Sequence, residues 1–226
     1  MPDPLLALAR LPGVASSVAA ADAALAAMLQ GRGRRRISDE QVASALTGSA
    51  RASAQLEGDP ARWEPGCVRV ATQLPSLATS RLPAGQLLAR LHALAARGIG
   101  EPDELGRVRA GAGGDRLTGL LDLLAPGGTV PIVRSAVVHA ELLTLAPFAQ
   151  GNGVVARAAA HVVLIAAGID PRAVLPLARG HLELAEEYAV AAAGYGAGTV
   201  PAVSAWLEHC ARAMVQAAEL SPLSTS

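Results

Sequence analysis

Lysine is absent from this chain of 226 residues, and all 19 of its basic side chains are arginine. They are balanced by 19 aspartates and glutamates, which leaves a formal net charge of +0. A neutral chain offers no electrostatic footprint for nucleic acid or for an anionic membrane surface. Aromatic residues are also scarce, at 2% of a chain that is 51% hydrophobic, so alanine, leucine and valine must fill the core. Ala and Leu favour helices, and few stretches combine Val, Ile and aromatics. An all-α bundle is therefore the expected fold class.

Cysteine is nearly absent. Cys67 and Cys210 are too few for a disulfide framework or a structural zinc site, and both read as small hydrophobes. No apolar run reaches the length of a bilayer span. The most apolar segment, residues 154–169, is interrupted by Arg157 and His161. The N-terminus carries Asp3 and Arg10 where a signal peptide would have a basic start and a clean apolar run. The expectation is a cytoplasmic protein of one compact unit, with N-terminal helices in residues 1–82 and a core with C-terminal helices in residues 83–226.

What is present is helical periodicity. Residues 17–30 read as an Ala-rich helix, followed by a basic knot of Arg32, Arg34, Arg35 and Arg36 that reads as a solvated turn. A second helix opens on the capping box Ser38-Asp39-Glu40-Gln41 and ends at Gly58 and Pro60. Residues 74–83 read as a connector, 86–97 as an amphipathic helix and 100–128 as a glycine-rich loose region with a short helix at 117–124. Helices follow at 132–145, 154–167 and 181–193. A last one is opened by Pro201 and runs to about Ala218, and the tail after Ser221 reads as disordered.

Gly151-Asn152-Gly153 sits between two of these helices, just before the N-terminus of the most apolar one. Glycines permit positive φ, so successive amides can turn inward as an anion nest. The unpaired amides and dipole of the following helix strengthen that attraction. Phe148 three residues before the nest and Arg157 four residues after it complete a pattern more specific than Gly-Asn-Gly alone.

The stretch Leu145 to Arg157 resembles the signature loop of the Fic (Fic/Doc) family of nucleotidyl, usually AMP, transferases. The family pattern runs His-Pro-Phe, any residue, Asp or Glu, Gly-Asn-Gly-Arg, two residues, Arg. Pro147, Phe148, Gly151, Asn152, Gly153 and Arg157 match it. The His position holds Ala146, the acid position Gln150 and the first Arg position Val154.

The resemblance implies the Fic-type helical bundle and a phosphate site made by Gly151, Asn152, Gly153 and Arg157. Pro147 and Phe148 would pack the motif. It also implies that the general base, the acid that holds Mg²⁺ and one phosphate-binding arginine are missing. Ala146 takes no proton, and loss of a general base alone is worth roughly 10²–10⁴ in rate. Gln150 is a degenerate metal position, since Mg²⁺ sites usually include a carboxylate. No metal ligand set is assigned, and ATP with Mg²⁺ is at most a weakened cofactor.

Upstream, Ser53-Ala54-Gln55-Leu56-Glu57-Gly58 resembles the inhibitory-helix pattern of one regulatory class of the same family: Ser or Thr, three residues, Glu, then Gly or Asn. In that class the Glu pairs with the second signature Arg and blocks the γ-phosphate. By resemblance the pair is Glu57 with Arg157, supported by Ser53 and Gly58, on an N-terminal helix packed against the core. Val108 and Arg109 fall where the family carries a target-docking flap, a small hairpin.

Other chemistry is weaker. His92, His139, His161, His181 and His209 form no metal pair at ligand spacing, and neither a His-Glu-x-x-His run nor a Gly-x-Ser-x-Gly elbow occurs. His139 and His161 lie nearest the loop and read as core histidines. Glu183, Glu186 and Glu187 read as a solvated face. Gly111-Ala112-Gly113-Gly114 lacks the apolar strand that a nucleotide loop needs.

The reading is a catalytically degenerate Fic-like protein with a regulatory role, acting by binding a protein partner or a nucleotide, with homodimer formation as one form of partnership and with neither nucleic acid nor membrane. The alternative is a residual nucleotidyl or phosphoryl transferase that uses ATP and another base.

Overall fold

A computed structural model describes residues 3–30, 37–125 and 127–224. Among the described residues there are eleven α-helices and no strand. The basic knot at residues 32–36 lies outside them. None of the described helices is long and apolar enough to cross a membrane.

Local chemistry sets several helix starts. After α1 (Pro4–Leu8) and α2 (Val14–Gln30), α3 (Asp39–Leu56) opens on the expected capping box. Ser38 Oγ accepts from the Gln41 amide at 3.2 Å, and the Gln41 side chain accepts from the Ser38 amide at 3.0 Å. Gly58, at φ +88, then reverses the chain. The sequence pattern takes Pro60 as a stop and residues 74–83 as a connector. The structure instead places a long helix there, α4 (Pro60–Ala78), with Asp59 capping the Arg62 amide and Pro60 in the first turn. Pro65 and Pro75 lie inside it and each removes a backbone donor. The helix persists because Trp63, Cys67, Val70, Leu74 and Leu77 bury one continuous stripe.

The rest follows as α5 (Ala84–Ala96), α6 (Asp115–Leu124), α7 (Pro131–Leu145), α8 (Asn152–Ala166), α9 (Leu177–Glu183), α10 (Ala185–Tyr195) and α11 (Val200–Glu219). Three further expectations are corrected. The helix expected at 181–193 is broken at Leu184 (φ −117, ψ 38) into α9 and α10, so His181 and Tyr188 sit on different helices. The tail after Ser221 is packed as far as Leu223: Ser221 is buried and its hydroxyl donates to the Val174 carbonyl at 2.9 Å. The expected flap hairpin is also absent, and residues 101–114 form turns instead.

At the centre lies α8, buried on nearly every face from Val154 to Ile165 and packed against α3, α4, α5, α7 and α9. A helix that is apolar all round can only be stable in this position. Its N-terminus, the C-terminus of α3 and the end of α7 converge, which brings both sequence motifs to one place.

Candidate functional site

The loop between α7 and α8 is held by its own residues. Ala146 ends α7 in the left-handed region, at φ 42 and ψ 61. Phe148 turns inward, is buried, and stacks on His92 with ring centroids 4.1 Å apart and 3° between planes. Asn152 closes the loop: its Oδ1 accepts from the Phe148 amide at 2.9 Å and its Nδ2 donates to the Phe148 carbonyl at 2.8 Å. Gly151, at φ 71, stands at the start of α8, where a β-carbon would meet the Trp63 ring at 2.9 Å. No side chain caps α8. The open amides of its first turn and the helix dipole therefore face whatever anion comes near.

Glu57 lies beside this helix start, next to Gly153, and is held there by Arg157. Ser53 and Glu57 are four residues apart in the last turn of α3, so both point to the same side. Arg157, only 4% exposed, rises between them from α8. Its Nε donates to Ser53 Oγ at 2.9 Å, and its Nη2 donates to the Ser53 carbonyl at 2.9 Å and to Glu57 Oε2 at 2.7 Å. Its Nη1 donates to the Tyr188 hydroxyl at 3.3 Å. Burial works against the Arg157 charge, but Tyr188 and Glu57 outweigh it and hold its pKa above the ordinary arginine range. Gly153 makes room for the pair, since a β-carbon there would collide with Glu57 Oε2 and crowd Arg157 Nη1.

The pair closes one side of a cleft of about 570 Å³ lined by Glu57, Thr144, Gly153, Arg157, Tyr188 and Ala192.

The remaining motif positions face elsewhere. Val154 is buried in the largest apolar cluster. Gln150 accepts from Arg62 Nη2 at 2.8 Å through its side-chain oxygen, and the Arg62 guanidinium lies 5.7 Å over the Trp63 ring. The oxygen at the acid position thus already serves a cation. Arg109 stitches its segment to the loop: its amide donates to the Pro147 carbonyl at 2.8 Å, and its side chain donates to the carbonyls of Ala146 at 2.6 Å and Leu145 at 3.1 Å. Gly58 contributes only the reversal after α3.

The two histidines nearest the loop along the sequence have partners. His161 pairs with the buried Asp170 at 2.8 Å, and His139 Nε2 lies 3.0 Å from the Tyr188 hydroxyl. Of the acidic cluster, Glu187 is bound to His209 and Arg212 rather than solvated alone. Sequence reasoning passes over Tyr188, Arg62 and Trp63, because nothing in their local spacing links them to a loop far along the chain.

The architecture is that of Fic proteins. The chain superposes on a Fic family protein from Desulfovibrio desulfuricans G20 with a TM-score of 0.68, over 90% of this chain and 73% of that one, at 18% identity. It also superposes on Fic-1 from C. elegans with a TM-score of 0.64, over 89% of this chain and 69% of that one, at 15% identity. No family model matches the sequence, and no curated protein does. The chain thus has a Fic-type all-helical fold.

Proposed function

We propose that this protein is a Fic-fold pseudoenzyme that keeps the phosphate-binding half of the site and has lost the transferring half. The carrying observation is the Glu57 carboxylate held on Arg157 directly above Gly153, at the start of α8. A carboxylate there is an internal stand-in for an anionic ligand. A nucleotide phosphate entering the cleft would take the place of Glu57 on Arg157 and reach the open amides of α8. The protein would then act by binding, as a nucleotide-responsive partner of another protein.

Three observations support loss of transfer. Ala146 carries no base, and its carbonyl is taken up by Arg109. Gln150 is neutral and engaged with Arg62. Val154 is inside the core and adds no charge to the cleft. Transition-state charge in phosphoryl chemistry is stabilised by such groups, and their absence leaves Arg157 alone.

Calorimetric titration of ATP and ADP with Mg²⁺ into wild type and Glu57→Gly tests the reading. Binding that appears or tightens in the variant supports a live site held shut by Glu57. No binding to a folded variant overturns it. Incubation with labelled ATP tests the competing view of a residual transferase, which requires label transfer that is abolished by Asn152→Ala.

A further inference from the structure

Behind Tyr188, on the side away from the cleft, lies a cluster that the phosphate site does not use. We propose that His139, His181 and Cys210 form a binding site for a soft d¹⁰ metal ion, Cu(I) in preference to Zn(II). They come from α7, α9 and α11, each residue is about 1% exposed, and one ligand atom from each lies within 4.8 Å of the others. Metal–nitrogen and metal–sulfur bonds run about 2.0–2.3 Å, so modest rotation about the side-chain torsions brings all three onto one ion. Close helix approach builds the cluster. A β-carbon on Gly180 would collide with the Ala213 carbonyl, so α9 lies tight against α11 and delivers His181 beside Cys210. Trp206 closes the cluster with its ring edge-on to His139, the centroids 5.0 Å apart.

The hydrogen bonds around the cluster fix which nitrogens are bare. Glu187 Oε1 is 2.9 Å from His209 Nδ1, and a carboxylate accepts, so that nitrogen carries the proton. In a neutral ring His209 Nε2 is then an acceptor. It lies 3.0 Å from His181 Nδ1, which must therefore be the donor. His181 Nε2 is left as an unshared lone pair inside the cluster. A metal-binding histidine whose other nitrogen is tied through hydrogen bonds to a carboxylate is the arrangement that orients a ligand and raises its basicity.

On the other side, the Tyr188 oxygen accepts from Arg157, which can only donate. The Tyr188 contact with His139 Nε2, at 3.0 Å, takes its direction from the His139 tautomer, and His139 Nδ1 is bare in the one where Nε2 donates.

Charge selects the ion. Arg157 is buried and one hydrogen bond from Tyr188, so added positive charge in this interior is opposed. Binding replaces the Cys210 S–H bond by an S–metal bond and releases that proton to solvent. Cu(I) with one thiolate and two neutral imidazoles adds no net charge, whereas Zn(II) adds one. Soft thiolate ligands favour Cu(I) on the same side of the balance. The local spacing of His and Cys along the chain gives no sign of the site, because the ligands meet only in the folded bundle.

The test is anaerobic titration of the reduced full chain with Cu(I) against a chromogenic Cu(I) chelator, and with Zn(II) in parallel. The expected result is one Cu(I) per chain, one proton released, and thiolate-to-copper absorption. Affinity falls about 10–100-fold in His209→Phe, which removes only the supporting partner. Cys210→Ser abolishes the absorption and Cys67→Ser leaves it intact. His181→Gln repeats the loss if Cys210→Ser does not fold. Absence of stoichiometric Cu(I), binding that survives both Cys210→Ser and His181→Gln, loss of binding in Cys67→Ser, or tighter Zn(II) than Cu(I) each overturns the proposal.

Discussion

Glu57 Oε2 lies 2.7 Å from Arg157 Nη2, joining the end of α3 to the first turns of α8 across 100 residues of chain. The two ends of this contact differ in exposure: the Arg157 side chain is 4% exposed and that of Glu57 15%. Removing the carboxylate therefore strands a buried cation, while removing the arginine leaves an acid that can reach water. Glu57→Ala is expected to lower unfolding stability toward the lower end of about 3–5 kcal/mol, because the cleft admits some solvent. Urea denaturation of wild type and variant checks it. An unchanged midpoint for Glu57→Ala would show that the pair braces nothing.

Gly153 gives a second handle on the same contact. A methyl group there collides with Glu57 Oε2, so Gly153→Ala should displace the carboxylate and cost about 1–3 kcal/mol as overpacking. Its effect should be strongly non-additive with Glu57→Ala, since the variant no longer has a carboxylate to displace. Thermal denaturation of the two single variants and the double variant measures the coupling. Simple additivity would place the strain elsewhere.

The site was legible in the sequence wherever spacing alone determines proximity. Ser53 and Glu57 share a helix face because they are four residues apart, and Gly151 to Arg157 form a helix start because the glycines and the apolar run adjoin. The same holds for the capping box at Ser38. Contacts made only by tertiary packing were not legible. Arg62 reaches Gln150 across 88 residues, and Tyr188 reaches Arg157 only because the chain breaks at Leu184. α4 was hidden for a different reason: Pro65 and Pro75 argue locally against a helix, and only the burial of its apolar stripe outweighs them. The break between α9 and α10 carries no Gly or Pro to announce it.

Asn152 tests whether the nest is preformed. Both ends of its amide are spent on Phe148, at 2.9 and 2.8 Å, so its role in the free protein is to shape the loop. Asn152→Ala removes two hydrogen bonds, each worth about 0.5–1.5 kcal/mol, and should destabilise the fold by about 1–3 kcal/mol. Loosening of Phe148 should follow, with faster hydrogen exchange at the Phe148 amide. If that amide exchanges as slowly as in wild type, the loop is held by the His92–Phe148 stack instead.

Asp170 supplies a control remote from the cleft. It is fully buried and accepts three hydrogen bonds, from His161 at 2.8 Å and from the amides of Val174 and Leu175 at 2.9 and 3.1 Å. These contacts fix the turn that leads from α8 into α9. Asp170→Ala leaves two buried amides and an imidazole without partners, and unsatisfied buried groups cost about 1–3 kcal/mol each. The expected loss of several kcal/mol should equal or exceed that of Glu57→Ala. Asp170→Asn, which keeps one acceptor oxygen, should recover part of it. Denaturant midpoints for the three variants decide the ranking. If Asp170→Ala proved milder than Glu57→Ala, the turn after α8 would have to be held by the apolar packing of Val174 and Leu175 rather than by the carboxylate.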